Sequence, residues 1–186
     1  MTEAATRATG WNQESASGVQ HQGQFGRGLT MSLYDDQESP SRAAIGGHPL
    51  HPMVVPFPIA FLVGALAADI VFSATSDPFW ARAAFWLLAA GIVMGAVAAL
   101  LGLVDFLSIR RVRSLPIAWM HFLGNGLAVL LAIWNIALRW SDPAAAPTGL
   151  AIALSAIVTV VLVVTGWLGG ELAYRHRIGV MARTQK

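Results

Sequence analysis

The sequence contains no cysteine, which excludes a disulfide framework, thiolate metal sites, cysteine-held iron–sulfur clusters, a cysteine nucleophile and covalent haem attachment through C-x-x-C-H. Charge is also scarce: 12% of the 186 residues are Asp, Glu, Lys or Arg, about half the share of a soluble domain. The formal net charge is +2 and the pI about 9.7. Because the twelve basic residues are scattered among ten acidic ones, they make no long basic run, and nucleic acid is not an expected partner. Also missing are G-x-S-x-G, a Walker loop, a dinucleotide fingerprint and H-E-x-x-H. No hydrolase, kinase or dinucleotide chemistry is therefore indicated, and the chain is not expected to be an enzyme by itself.

What is present is apolar length. Hydrophobic residues make up 55% of the chain, and four apolar stretches lie at about 53–73, 83–106, 115–138 and 149–171. Each approaches the roughly twenty residues that cross a ~30 Å hydrocarbon core at about 1.5 Å per residue. The short turns between them leave too little polar surface for a soluble fold. Uninterrupted Leu, Ala, Val and Ile suit helices, not the alternating strands of a barrel, since backbone hydrogen bonds must close internally in lipid. The expected fold is an all-α membrane protein, a four-helix transmembrane bundle over 44–182. Residues 1–43, rich in Ser, Gly, Gln and Glu, are expected to be a disordered cytoplasmic tail. They have neither the basic start nor the apolar core of a signal peptide.

Four spans place both termini on one side. Eight basic residues flank that side (Arg42, Arg110, Arg111, Arg113, Arg175, Arg177, Arg183, Lys186), and two, Arg82 and Arg139, flank the other. The positive-inside bias then predicts a multi-pass protein of the bacterial inner membrane with both termini cytoplasmic. Gly91 and Gly95 form a G-x-x-x-G in the second span, read as helix packing inside the bundle.

Threading the spans gathers the polar residues at one depth. His48 and His51 precede the first span within G-G-H-P-L-H-P, whose prolines, with Pro56 and Pro58, stiffen the approach to the membrane. Asp105 closes the second span, His121 lies about two turns into the third, and Glu171 and His176 follow the fourth. Asp105 and His121 are expected to pair across adjacent helices, with Asn125 as the alternative packing partner for His121. Glu171 pairs with Arg175 if the fourth helix continues, or faces the site if the chain breaks at Gly169 and Gly170. Asp69, near the far end of the first span, is expected at the interface.

These motifs, G-H-P-L-H-P with P-F-P (Gly47 to Pro52, Pro56 to Pro58), His121, and G-W-L-G-G-E-L-A-Y-R-H-R-I-G-V (Gly166 to Val180), carry a resemblance. Over residues 44 to 182 the chain resembles a large bacterial family of predicted four-helix inner-membrane proteins of unknown function. The resemblance implies no settled activity. Relatives found fused to or near Rieske and other redox proteins imply a link to electron transfer.

The leading functional expectation is a redox-associated module holding a non-covalent haem b, with ligands drawn from His51, His121, His176 and then His48. A divalent-metal site would combine His48, His51 and His121 with Asp105 or Glu171. A small-solute transporter and a structural or assembly subunit without cofactor are the remaining readings. The expected partners are the lipid bilayer and either a membrane redox partner or a second copy of the chain.

Overall fold

The computed structural model describes residues 39–180; the expected tail up to residue 38 and residues 181–186 lie outside the described residues. Helices α1 (Leu50–Val54) and α2 (Pro56–Thr75) together make the first span. Pro56 and Pro58 fall in the first turn of α2, where a missing N–H costs nothing. Ser76, in the left-handed conformation at φ 56°, ends the helix. One residue later the Asp77 carboxylate accepts from Phe79 N–H at 2.9 Å and starts α3 (Pro78–Ser108) with Pro78 in its first turn. That cap begins the second span five residues before the apolar stretch and leaves Arg82 exposed on it. A short turn, α4 (Arg110–Arg113), leads to α5 (Pro116–Leu138). Thr148 then caps α6 (Gly149–Gly170), its hydroxyl accepting from Ala151 N–H at 3.2 Å.

The four long helices form an up-down-up-down bundle. Each packs against two neighbours: α2 on α3 and α6, and α5 on α3 and α6, which leaves α2 and α5 diagonally opposed. Leu62, Ala65, Leu88, Ala128, Ala132, Val158 and Leu162 are the buried centre. Gly91 and Gly95 lie inside the bundle packing, as expected: a Cβ on Gly91 would sit 2.7 Å from the Leu62 side chain of α2, and one on Gly95 would sit 3.4 Å from Val129 of α5. Leu100, Leu130, Val160, Trp86 and Trp167 are instead exposed. With four spans apolar and long enough to cross a bilayer, this exterior is the lipid-facing surface of a multi-pass membrane protein.

The two hairpins repeat one pattern. Eighteen residues separate His51 from Asp69 in the first and His121 from Arg139 in the second. Between those ends, Pro58, Leu62 and Ala65 are buried in α2, and Ala128, Ala132 and Asn135 are buried at the same intervals in α5. The hairpins thus correspond by residue interval, and the two histidines come together at one end and Asp69 and Arg139 at the other.

At the histidine end, the chain outside the spans is folded onto the bundle. Strands β2 (Ala44–Ile45) and β3 (His48–Pro49) pair antiparallel around Gly46 and Gly47, at φ 57° and 81°. A two-residue hairpin of this kind requires positive φ at both central positions, which is why two glycines stand there. Strand β1 (Ser39–Pro40) pairs in parallel with β4 (Ile178–Val180). Residues 39–43, read from the sequence as tail, thus contact the membrane domain. Beyond Gly170 the helix widens into a π turn, Glu171–Arg175.

Candidate functional site

The rings of His51 and His121 meet across the mouth of the bundle, with centres 6.3 Å apart and planes at 87°. Each is held from behind by a different helix. His51 Nδ1 lies 2.8 Å from the Ala98 carbonyl on α3, and His121 Nδ1 lies 2.9 Å from the Thr165 carbonyl on α6. A carbonyl only accepts, so each bond calls for a proton on Nδ1, which in a neutral ring leaves the lone pair on Nε2. Both imidazoles are half-buried.

Asn125 completes the His121 side. Its Nδ2 donates to the His121 carbonyl at 2.7 Å and its Oδ1 accepts from Thr165 Oγ1 at 3.2 Å. The same Nδ2 is 3.4 Å from both ring nitrogens. These are long contacts beside the 2.7 Å bond to the carbonyl. Packing of His121 against Asn125 was the expectation, and it is found.

Pairing of Asp105 with His121 is not found. One oxygen of Asp105 accepts from Ser41 Oγ at 2.7 Å, and the other accepts from the backbone N–H groups of Arg42 and Ala43 at 2.6 and 3.1 Å. The physical reason is supply. Residues 41–43 bring three donors to a buried carboxylate, which satisfies it more fully than one imidazole would. Asp105 is therefore the anchor of the chain leading into the membrane.

The other candidates stand apart from the pair. His48 is exposed, its Nδ1 turned to the Gly46 carbonyl of its own hairpin at 3.1 Å. Glu171 accepts from Arg175 at 3.3 Å on the outer surface, because the helix continues past Gly169 and Gly170 without a break. His176 caps the π turn, its N–H donating to the Glu171 carbonyl at 3.1 Å. Among the described residues, His51 and His121 are the one pair of histidine rings in contact, and no group of three His, Cys, Asp or Glu is placed to hold a metal ion.

A second polar cluster occupies the opposite end and corrects the placement of Asp69 at the interface. Asp69 is fully buried, and Arg139 donates to both its oxygens, at 2.6 and 2.8 Å. Arg139 Nε donates to Asn135 Oδ1 at 3.0 Å, Asn135 Nδ2 donates to Ser155 Oγ at 2.8 Å, and Ser155 Oγ donates to Asp69 at 2.8 Å. Every buried polar side-chain atom among the described residues has a partner. The cluster is a clasp in which each buried polar side-chain atom has a partner within the bundle.

A helical bundle with a lipid-facing exterior and a polar clasp at each end defines an integral membrane protein. Residues 47–182 match the family described as predicted membrane protein (DUF2231), and the chain belongs to that family. No curated protein and no solved structure matches it.

Proposed function

We propose that this protein is a redox-associated module of the bacterial inner membrane that holds one non-covalent b-type haem between His51 and His121, with both termini cytoplasmic. The observation that carries the reading is the pair itself, presented by diagonally opposed helices with Nδ1 of each ring committed to a backbone carbonyl. That hydrogen bond orients a ligating imidazole and raises its basicity. Two imidazoles on opposite sides of one metal, each bound through Nε2 at about 2 Å, have ring centres about 6 Å apart, and a tetrahedral angle would bring them closer. At 6.3 Å His51 and His121 would be close enough to hold one metal between them.

Ligand number favours haem over a bare divalent ion. Haem needs one or two axial side chains, which is what the pair offers, whereas protein-held zinc takes three or four. A haem here would supply one-electron chemistry, and its partner would be another membrane redox protein. The chain's own part is to ligate and to fix ring orientation. The same two hydrogen bonds also cross-link α1 to α3 and α5 to α6, and this favours, as a second reading, an assembly subunit without cofactor. The test is the absorption spectrum of detergent-purified protein from a haem-supplemented host. A Soret band with six-coordinate, low-spin features is expected, converted to a five-coordinate spectrum by His51→Ala or His121→Ala and unchanged by His48→Ala. Colourless protein would overturn the haem reading and leave the assembly reading.

A further inference from the structure

The two histidine bonds share a feature that neither needs by chance. The carbonyl accepting from His51 belongs to Ala98, and four residues on is Gly102; the carbonyl accepting from His121 belongs to Thr165, and four residues on is Gly169. In an α-helix the carbonyl of residue i points toward residue i+4, and Cα–Cβ bonds tilt back toward the N-terminus, so a side chain at i+4 leans over that carbonyl. Glycine leaves it uncovered. The rings occupy the space so opened: a Cβ on Gly102 would lie 3.0 Å from both Cε1 and Nδ1 of His51, and one on Gly169 would lie 2.9 Å from Cε1 of His121. Gly166, on the same helix as Gly169, has nothing within 4 Å of its Cβ position. The arrangement occurs once in each hairpin.

We infer that Gly102 and Gly169 are positioning residues which, by baring the Ala98 and Thr165 carbonyls, lock His51 and His121 in the Nδ1–H tautomer and present two Nε2 lone pairs as ligands. The inference rests on the haem reading for its purpose, but its geometry can be measured without haem. The test is the imidazole 15N spectrum of the haem-free, full-length protein in detergent, with signals assigned through His51→Gln and His121→Gln. Both rings are expected as neutral Nδ1–H. Gly102→Ala should shift His51 toward a mixture of tautomers and leave His121 in place, Gly169→Ala should do the reverse, and Gly166→Ala should change neither.

An Nε2–H form in the parent protein overturns the inference without recourse to any variant, so a failure of the alanine variants to fold does not shelter it. Alanine variants that fold and keep the parent tautomers overturn it equally. In parent protein that takes up haem, each alanine variant is expected to weaken haem affinity about 10- to 100-fold, the usual effect of removing a ligand's hydrogen-bond support. If the parent holds the Nδ1–H tautomers and binds no haem, the haem reading fails and the glycine assignment stands. If it binds haem and the tautomers ignore both substitutions, only the glycine assignment fails.

Discussion

Arg139 donates to both carboxylate oxygens of Asp69 inside the bundle, where the two side chains are 5% and 0% exposed. The pair joins the end of α2 to the end of α5, helices that otherwise face each other across the diagonal. Removing one partner strands a charge in a water-poor site, at a cost of about 3–5 kcal/mol, while replacing both with apolar residues of similar size is far better tolerated. Asp69→Leu and Arg139→Met are therefore each expected to lower thermal stability in detergent sharply, and the double variant to recover most of the loss. Strictly additive losses would show that the pair does not couple.

Asp105 and His121 should behave as independent sites, since the carboxylate is bonded to Ser41, Arg42 and Ala43 and the imidazole to Thr165. Asp105→Ala is expected to cost about 1–3 kcal/mol through the buried donors it leaves unsatisfied. It should also speed hydrogen exchange at the Arg42 and Ala43 amides. Combined with His121→Ala, the stability losses should add to within about 0.5 kcal/mol. A larger coupling energy would mean that the two sites communicate.

The spans were legible because apolar run length is a local property, and the helices end within a few residues of the apolar stretches except where Asp77 and Pro78 start α3 early. The histidines were legible as a set at one depth. Which of them meet was not, because depth along a helix follows from counting residues, whereas the direction a side chain faces depends on how the helices are rotated. For that reason Asp105 was matched to His121 by level alone, and the donors at residues 41–43 were hidden in a segment read as tail. Arg139 was counted as a flanking charge because it follows the last apolar residue of the third span. Its burial becomes visible only when the hairpins are superposed and it falls opposite Asp69. Gly102 stands out in no way among the 18 glycines of the chain, and Gly169 reads from the sequence only as a candidate break in the fourth helix.

Gly91 should not tolerate a side chain, whereas Gly126 should. A Cβ at Gly91 would lie 2.7 Å from Leu62 Cγ and Cδ2 and 3.5 Å from its backbone N, while nothing lies within 4 Å of the position at Gly126. Leu62 is itself 2% exposed and has little room to move. Gly91→Ala is expected to destabilise by about 1–3 kcal/mol through overpacking. Gly126→Ala should be neutral or slightly stabilising, because alanine is the better helix former. Thermal unfolding of the two variants in the same detergent checks the contrast, and equal losses would mean that α2 and α3 do not pack as described.

The orientation is tested separately from the fold, since the bundle would look the same either way up. Of the eight basic residues assigned to the histidine end, Arg110 and Arg113 are exposed on the α4 turn between the hairpins. Arg113 also donates to the Phe106 and Leu107 carbonyls at the end of α3, so its charge sits where a helix C-terminus favours it. At the opposite end, Arg139 is paired with Asp69, as Arg175 is paired with Glu171 at the histidine end, and Arg82 is exposed near the start of α3. These pairs take one arginine from each end, so the excess of basic residues at the histidine end is unchanged, and the positive-inside bias predicts that this end is cytoplasmic. Reporter fusions at the C-terminus and after Ser108 should be active only on the cytoplasmic side, and a fusion after Pro143 only on the far side. Periplasmic activity at either of the first two positions would invert the molecule and place His51 and His121 on the outer face.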